Sequence, residues 1–121
     1  MDKKIGIVTW FKNGNYGGTL QAYALQKTIE SLGFDCEFID FCPEAKSFSH
    51  KTIRLLKDVA ISIYKPRLYQ SRKQIYKFVK DNLKVSPPYY TYNQLKETAD
   101  KRYFAAICGS DQIWSNAGGK I

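Results

Sequence analysis

Ile5-Gly6-Ile7-Val8-Thr9-Trp10-Phe11, then Lys12-Asn13-Gly14-Asn15-Tyr16-Gly17-Gly18, then Thr19-Leu20-Gln21-Ala22-Tyr23-Ala24-Leu25-Gln26: an apolar, β-branched run stops at a glycine- and asparagine-rich turn, and a helical pattern starts directly behind it. The run at 5–11 is nearly continuous apolar, as expected of a strand covered on both faces of a parallel sheet. Residues 19–32 place Ala22, Leu25, Ile29 and Leu32 on one helical stripe, with Gln26, Lys27, Glu30 and Ser31 on the solvent side and Gly33 as the stop. A second strand is expected over 34–41, where acidic residues alternate with apolar ones. Strand, helix and strand in this order imply two parallel strands joined by a right-handed crossover.

The rest of the chain extends the same α/β pattern. Residues 45–51 are polar and read as loop. Residues 52–64 form a helical stripe of Ile53, Leu56, Ala60 and Ile63, widened by Leu55, Val59 and Ile61, which Lys65-Pro66 ends because the residue before proline is pushed out of the α region. A third helix over 68–83 has Ile75, Phe78, Val79 and Leu83 as its apolar stripe and Arg72, Lys73, Lys77 and Lys80 as its basic face. Val85-Ser86-Pro87-Pro88 breaks the chain, and a short helix follows over 92–101 with Asn93 as candidate N-cap. Residues 103–108 read as a third strand, which delivers Gly109-Ser110-Asp111-Gln112-Ile113-Trp114. No helix follows this last strand and turn to cover the sheet, so the chain reads as cut rather than finished.

Composition narrows the function classes. The 121 residues make one domain at most, and 44% hydrophobic and 15% aromatic content is enough to bury a core. Mean hydropathy is −0.42, and no apolar run is long enough to cross a bilayer. The N-terminal apolar run is short, contains Trp10 and lacks a small-residue cleavage site, so it makes a poor signal peptide and the expected location is cytoplasmic. Three cysteines, Cys36, Cys42 and Cys108, with no C-x-x-C spacing, are expected to be free, reduced and buried. The lone His50 has no second histidine near it, and no metal site is expected.

The net charge of +8 is concentrated: residues 46–84 carry eleven Lys or Arg against two Asp. This basic helical insertion reads first as a solvated face. An anionic glycan, a phosphate substrate or peripheral contact with a membrane surface is its second reading, and nucleic acid is not expected to be a partner.

Two loops can carry chemistry. Asn and Gly tolerate positive φ, so the turn at 13–18 can either close a short strand–helix connection or expose backbone N–H groups to an anion at the helix N-terminus. It is not a P-loop, having no Gly-Lys-Ser/Thr, and its glycines do not follow G-x-G-x-x-G. Asp40, at the end of the second strand, keeps a ribose-binding reading open. At the second loop Ser110, Asp111 and Gln112 can orient a sugar or phosphate and Trp114 can stack on a sugar face, although the same residues also suit a plain polar turn. No histidine neighbours Ser110 to make a nucleophilic triad.

The strings Lys4-Ile5-Gly6-Ile7-Val8-Thr9, Asn15-Tyr16-Gly17-Gly18-Thr19-Leu20-Gln21-Ala22-Tyr23-Ala24-Leu25-Gln26, Glu37-Phe38-Ile39-Asp40-Phe41 and Ile107-Cys108-Gly109-Ser110-Asp111-Gln112-Ile113-Trp114 resemble the N-terminal part of the polysaccharide pyruvyl transferase family. The resemblance implies a three-layer Rossmann-like parallel sheet, the N-terminal half-domain of a two-domain, GT-B-like architecture of which 1–121 is the truncated first half. It also implies transfer of a pyruvyl group from phosphoenolpyruvate, a donor substrate rather than a cofactor, onto a sugar as a ketal in bacterial exopolysaccharide biosynthesis. The acceptor would be a sugar or lipid-linked glycan, with Asn15, Tyr16, Gly17, Gly18, Gln21, Ser110, Asp111, Gln112 and Trp114 lining its side of the cleft. The departures from the family pattern are mild: Gly18, Cys108, and Ser115-Asn116 where Asn-Pro is common. Ketal formation needs an acid to protonate the enol carbon and a base for the sugar hydroxyl, and these 121 residues show no such pair. The catalytic residues are therefore left unassigned, and the fragment is expected to be inactive alone and prone to self-association through its open sheet edge. The alternative is a non-catalytic Rossmann-like module that binds a nucleotide or an anionic glycan.

Overall fold

In a computed structural model the structure describes residues 3–12, 14–43 and 48–109. Its elements are β1 (Lys4–Val8), α1 (Tyr16–Ser31), β2 (Cys36–Phe38), α2 (Phe48–Tyr64), α3 (Pro66–Asn82), α4 (Tyr92–Arg102) and β3 (Tyr103–Cys108). The three strands form one parallel sheet in the order β2-β1-β3, with Ile5 opposite Cys36 and Ala105, and Ile7 opposite Phe38 and Ile107. β1 is thus central, as its unbroken apolar run requires.

The core lies on the face where Ile5, Ile7, Cys36 and Phe38 line up across β1 and β2. Ala22 and Ile29 of α1, Ile75 and Val79 of α3, and Leu83 just beyond α3 close over them, and the Phe11 ring packs 5.1 Å from that of Phe38. The stripe expected on α3 therefore holds. On α1 it is rotated: Gly18, Thr19, Ala22, Gln26 and Ile29 are buried, whereas Leu32 is exposed. Gln26, expected on the solvent side, is only 1% exposed. Its Nε2 donates to the Asn82 carbonyl (3.0 Å) and its Oε1 accepts from the Lys84 N–H (2.9 Å). One amide thereby satisfies two backbone groups where α3 gives way to an extended segment, which makes burial of a polar side chain tolerable.

That extended segment replaces the expected break. Val85 and Tyr89 bridge in parallel to Phe38 and Phe41, with Phe38 N–H to Lys84 O at 2.7 Å and Ser86 N–H to Phe38 O at 2.8 Å. Pro87 and Pro88 lack N–H donors, so the pairing stays two isolated bridges rather than a strand.

Several boundaries move from their expected places. β1 ends at Val8 rather than at 11, and β2 is three residues long. α1 begins at Tyr16, because the Asn15 side chain accepts from Gly17 N–H and starts the helix before the two glycines are passed. α2 begins at Phe48, inside the stretch read as loop. Thr91, not Asn93, caps α4, its Oγ1 accepting from Gln94 N–H at 3.3 Å. β3 begins and ends where its apolar run does, but its flank is open: Phe104, Ala105, Ala106 and Cys108 are exposed. All three cysteines are free. Cys36 is buried and Cys42 half-buried, but Cys108 is exposed on this uncovered strand, contrary to expectation.

Candidate functional site at the carboxyl edge of the sheet

The strand order fixes where a ligand has room. The chain leaves β1 for β2 on one side and returns through α4 to β3 on the other, so the strand order reverses between β1 and β3. In open α/β sheets, that switch point is where ligands sit. Both loops singled out in the sequence leave from it. Val8 pairs with Cys108, and the Gly109 N–H donates to the Val8 carbonyl at 2.8 Å, so the second loop starts against the end of β1. Glycine is required there: a Cβ on Gly109 would run into Thr9 Oγ1 and lie 2.7 Å from Thr9 Cβ.

The first loop turns at Gly14, whose φ of +71° is the left-handed conformation that glycine adopts without strain. The Arg72 side chain of α3 stands beside this turn, its Cγ 3.5 Å from where a Gly14 Cβ would be. Asn15 then caps α1, accepting from Gly17 N–H at 2.9 Å, and its own carbonyl accepts from Thr19 N–H at 3.0 Å. The capped turn leaves Tyr16 exposed as the first helical residue, and Gly17 and Gly18 follow it within the helix rather than in a free loop. Gly18 is buried, Gln21 is half-buried, and the buried hydroxyl of Thr19 has no hydrogen-bond partner. Asn15, Tyr16, Gly17, Gly18 and Gln21 are therefore gathered on the first turns of one helix. Ser110, Asp111, Gln112 and Trp114 lie outside the described residues.

Three residues at the same edge escaped the sequence reading because β1 ends earlier than its apolar run. Thr9 is in contact with Gly109, Trp10 is half-exposed beyond the strand, and Lys12 extends to Asp40. The signal for them was present in Thr9 and Lys12, polar residues on either side of an aromatic pair.

Asp40 is not a free ribose ligand. Lys12 Nζ pairs with its Oδ2, Cys42 Sγ donates to its Oδ1 at 3.0 Å, and its N–H donates to Ser86 Oγ at 3.0 Å. Burial, and then the hydrogen bond to Asp40, push the Cys42 thiol up, so it is protonated at neutral pH and no nucleophile.

A second polar cluster lies under β1 on the sheet face opposite the core. Glu37 is 4% exposed, and its carboxylate receives Arg102 Nε on Oε1, Arg102 Nη2 on Oε2 at 2.9 Å, the Tyr103 hydroxyl on Oε1 at 2.7 Å and Lys4 Nζ at 3.5 Å. Burial alone would raise the Glu37 carboxyl, but the hydrogen bonds from Arg102 and Tyr103 outweigh it and hold the group below its ordinary range. Tyr103 is pushed upward by burial and by Glu37, so it stays a hydrogen-bond donor. This cluster joins β2 to the start of β3 and is structural. Among the described residues, no group of three or more His, Cys, Asp or Glu side chains gathers as metal ligands would.

A profile of the polysaccharide pyruvyl transferase family matches residues 15–120, from the Asn15 cap to beyond the second loop. The chain belongs to that family. No curated protein and no solved structure matched it. The family match includes residues 15–18 of the first loop and the whole of 109–114, and the fold brings the starts of both loops to the β1–β3 switch point of this pyruvyl transferase family member.

Proposed function

We propose that the chain forms the acceptor-sugar wall of a transferase cleft in which a pyruvyl group passes from phosphoenolpyruvate to a sugar of a cell-surface polysaccharide. The observation that carries this reading is the contact of Gly109 with Val8 and Thr9, which sets the residue before Ser110 against the end of β1, the strand whose own exit leads to the Asn15-Tyr16-Gly17-Gly18 helix start. Asn15, Tyr16, Gln21, Asp111, Gln112 and Trp114 would hold the acceptor, with hydroxyl-binding polar groups beside an aromatic face suited to a sugar ring. Trp10 adds an exposed indole at the end of β1.

The reaction joins two sugar hydroxyl oxygens to the central carbon of phosphoenolpyruvate, protonates its terminal methylene to a methyl group, and releases phosphate. At the described part of this edge the carboxylate of Asp40 is occupied by Lys12 and Cys42. We therefore assign the acid–base groups to a second Rossmann-like half of a GT-B-like enzyme acting in the cytoplasm, and expect 1–121 alone to be inactive. The occupied Asp40 also removes the main support for a nucleotide-binding module.

The test is incubation of the intact protein with phosphoenolpyruvate and an oligosaccharide acceptor. Phosphate release matched by a new ketal methyl resonance is the expected result, and neither signal appearing at any acceptor concentration would sink the proposal.

A further inference from the structure

Helix α2 is long, amphipathic and almost uncovered. Its 17 residues span about 25 Å, and every residue from Lys51 to Ala60 is exposed. Leu56 is 66% exposed, Ile63 69% and Tyr64 83%. At 100° per residue Leu55, Val59, Ile63, Leu56, Ala60, Ile53 and Tyr64 fall on one continuous arc of about 180°. Lys51, Arg54, Lys57 and Asp58 occupy the other half together with Ile61, Thr52 falls within the apolar arc, and lysines stand near both of its borders. Most helical stability in proteins comes from packing an amphipathic face rather than from propensity, so such a face calls for a cover.

Charge selects the cover. Residues 46–84 carry eleven cationic side chains against two acidic ones, so a second copy would bring like charges together. Beyond Lys65, α3 adds a shallow open groove lined by Gln70, Lys73, Gln74, Tyr76, Lys77 and Lys80. No helix among the described residues is long and apolar enough to cross a membrane. An apolar half-cylinder bordered by lysines, with a tyrosine at its end and a cationic neighbour, instead fits a helix lying in the interfacial plane of an anionic bilayer.

We propose that α2 docks flat on a membrane of anionic glycerophospholipids, with α3 contributing cationic contacts to the headgroups. The inference stands on α2 and does not depend on the transferase reading. Because Arg72 of α3 touches the Gly14 turn, it would also hold the candidate cleft close to the lipid surface.

The experiment is flotation of the intact protein with phosphatidylglycerol–phosphatidylcholine vesicles against phosphatidylcholine alone, at physiological salt. The protein should float with the anionic vesicles and not with the neutral ones. Lys51→Ala with Lys57→Ala should weaken binding about 25-fold, at roughly fivefold per cation. Leu56→Glu with Ile63→Glu should abolish it. Both positions are exposed, so far-UV circular dichroism should remain that of the parent. Failure of the folded parent to float, or flotation unaffected by the Glu pair, overturns the proposal. A concentration-dependent dimer lost in the Glu pair, without vesicle binding, overturns it in favour of a second copy as the cover. Turnover of a water-soluble acceptor, unchanged in the Glu pair, separates failure here from failure of the transferase reading.

Discussion

Replacing Glu37 by Gln keeps the shape of the side chain and one acceptor oxygen but removes the charge on which Arg102, Tyr103 and Lys4 converge. The Tyr103 hydroxyl still has an oxygen to donate to, so its bond changes from charge-assisted to neutral, a loss of about 1 kcal/mol. The Arg102 side chain is 36% exposed and can turn to water, so its share is discounted to about 1 kcal/mol. Lys4, at 3.5 Å and one-third exposed, adds little. The sum is about 2 kcal/mol, or roughly 6–12 °C in Tm for a domain of this size.

The pH dependence has a definite sign. The folded-state pKa of Glu37 is lowered from its ordinary value of 4.5, so its contribution is fully present above that value and is lost as pH falls through the folded pKa. Gln does not titrate. The stability gap between parent and Glu37→Gln should therefore hold from neutral pH to about 5 and close progressively below 4.5, measured by urea unfolding at a series of pH values. A gap below 0.5 kcal/mol at pH 7, or one that stays constant down to pH 3, refutes the assignment.

Other substitutions test the site's scaffold. Gly109→Ala forces a Cβ into Thr9 and should cost about 1–3 kcal/mol, together with loss of activity; a second change, Thr9→Gly, should restore most of the stability in the same urea titration. Asn15→Ala removes the α1 cap, with an expected loss of about 1 kcal/mol that Asn15→Ser largely avoids. Gln26→Leu leaves the Asn82 carbonyl and Lys84 N–H without their buried partner and should destabilise by about 1–3 kcal/mol despite being apolar, whereas a side chain merely sitting on a wet helix face would show no change.

Much of the framework was legible because it is written locally. β3 runs from Tyr103 to Cys108 as its apolar run does, and Lys65-Pro66 separates two helices as proline chemistry requires. The errors arise where the deciding partner is remote in sequence. Gln26 follows the period of a wet helix face, and only the backbone of residues 82 and 84, more than fifty positions away, makes it a core residue. Glu37 alternates like a solvent-facing strand residue until Arg102 and Tyr103 enclose it. The apolar stripe of α2 has the same spacing as a buried one, and periodicity shows that a face is apolar without showing what covers it. The motif residues at 15–21 were legible from their resemblance to the family. The placement of Gly109 against Val8 and Thr9 was not, because the order β2-β1-β3 comes from long-range pairing that no local pattern encodes.

The central claim is that the two loops at the β1–β3 switch point hold the acceptor sugar. Its most direct measurement is steady-state pyruvyl transfer by the intact protein carrying Asp111→Asn or Trp114→Ala, with acceptor and donor varied separately. The account predicts that KM for the acceptor rises at least tenfold while KM for phosphoenolpyruvate stays within twofold. An unchanged acceptor KM, or a rise confined to phosphoenolpyruvate, would contradict it.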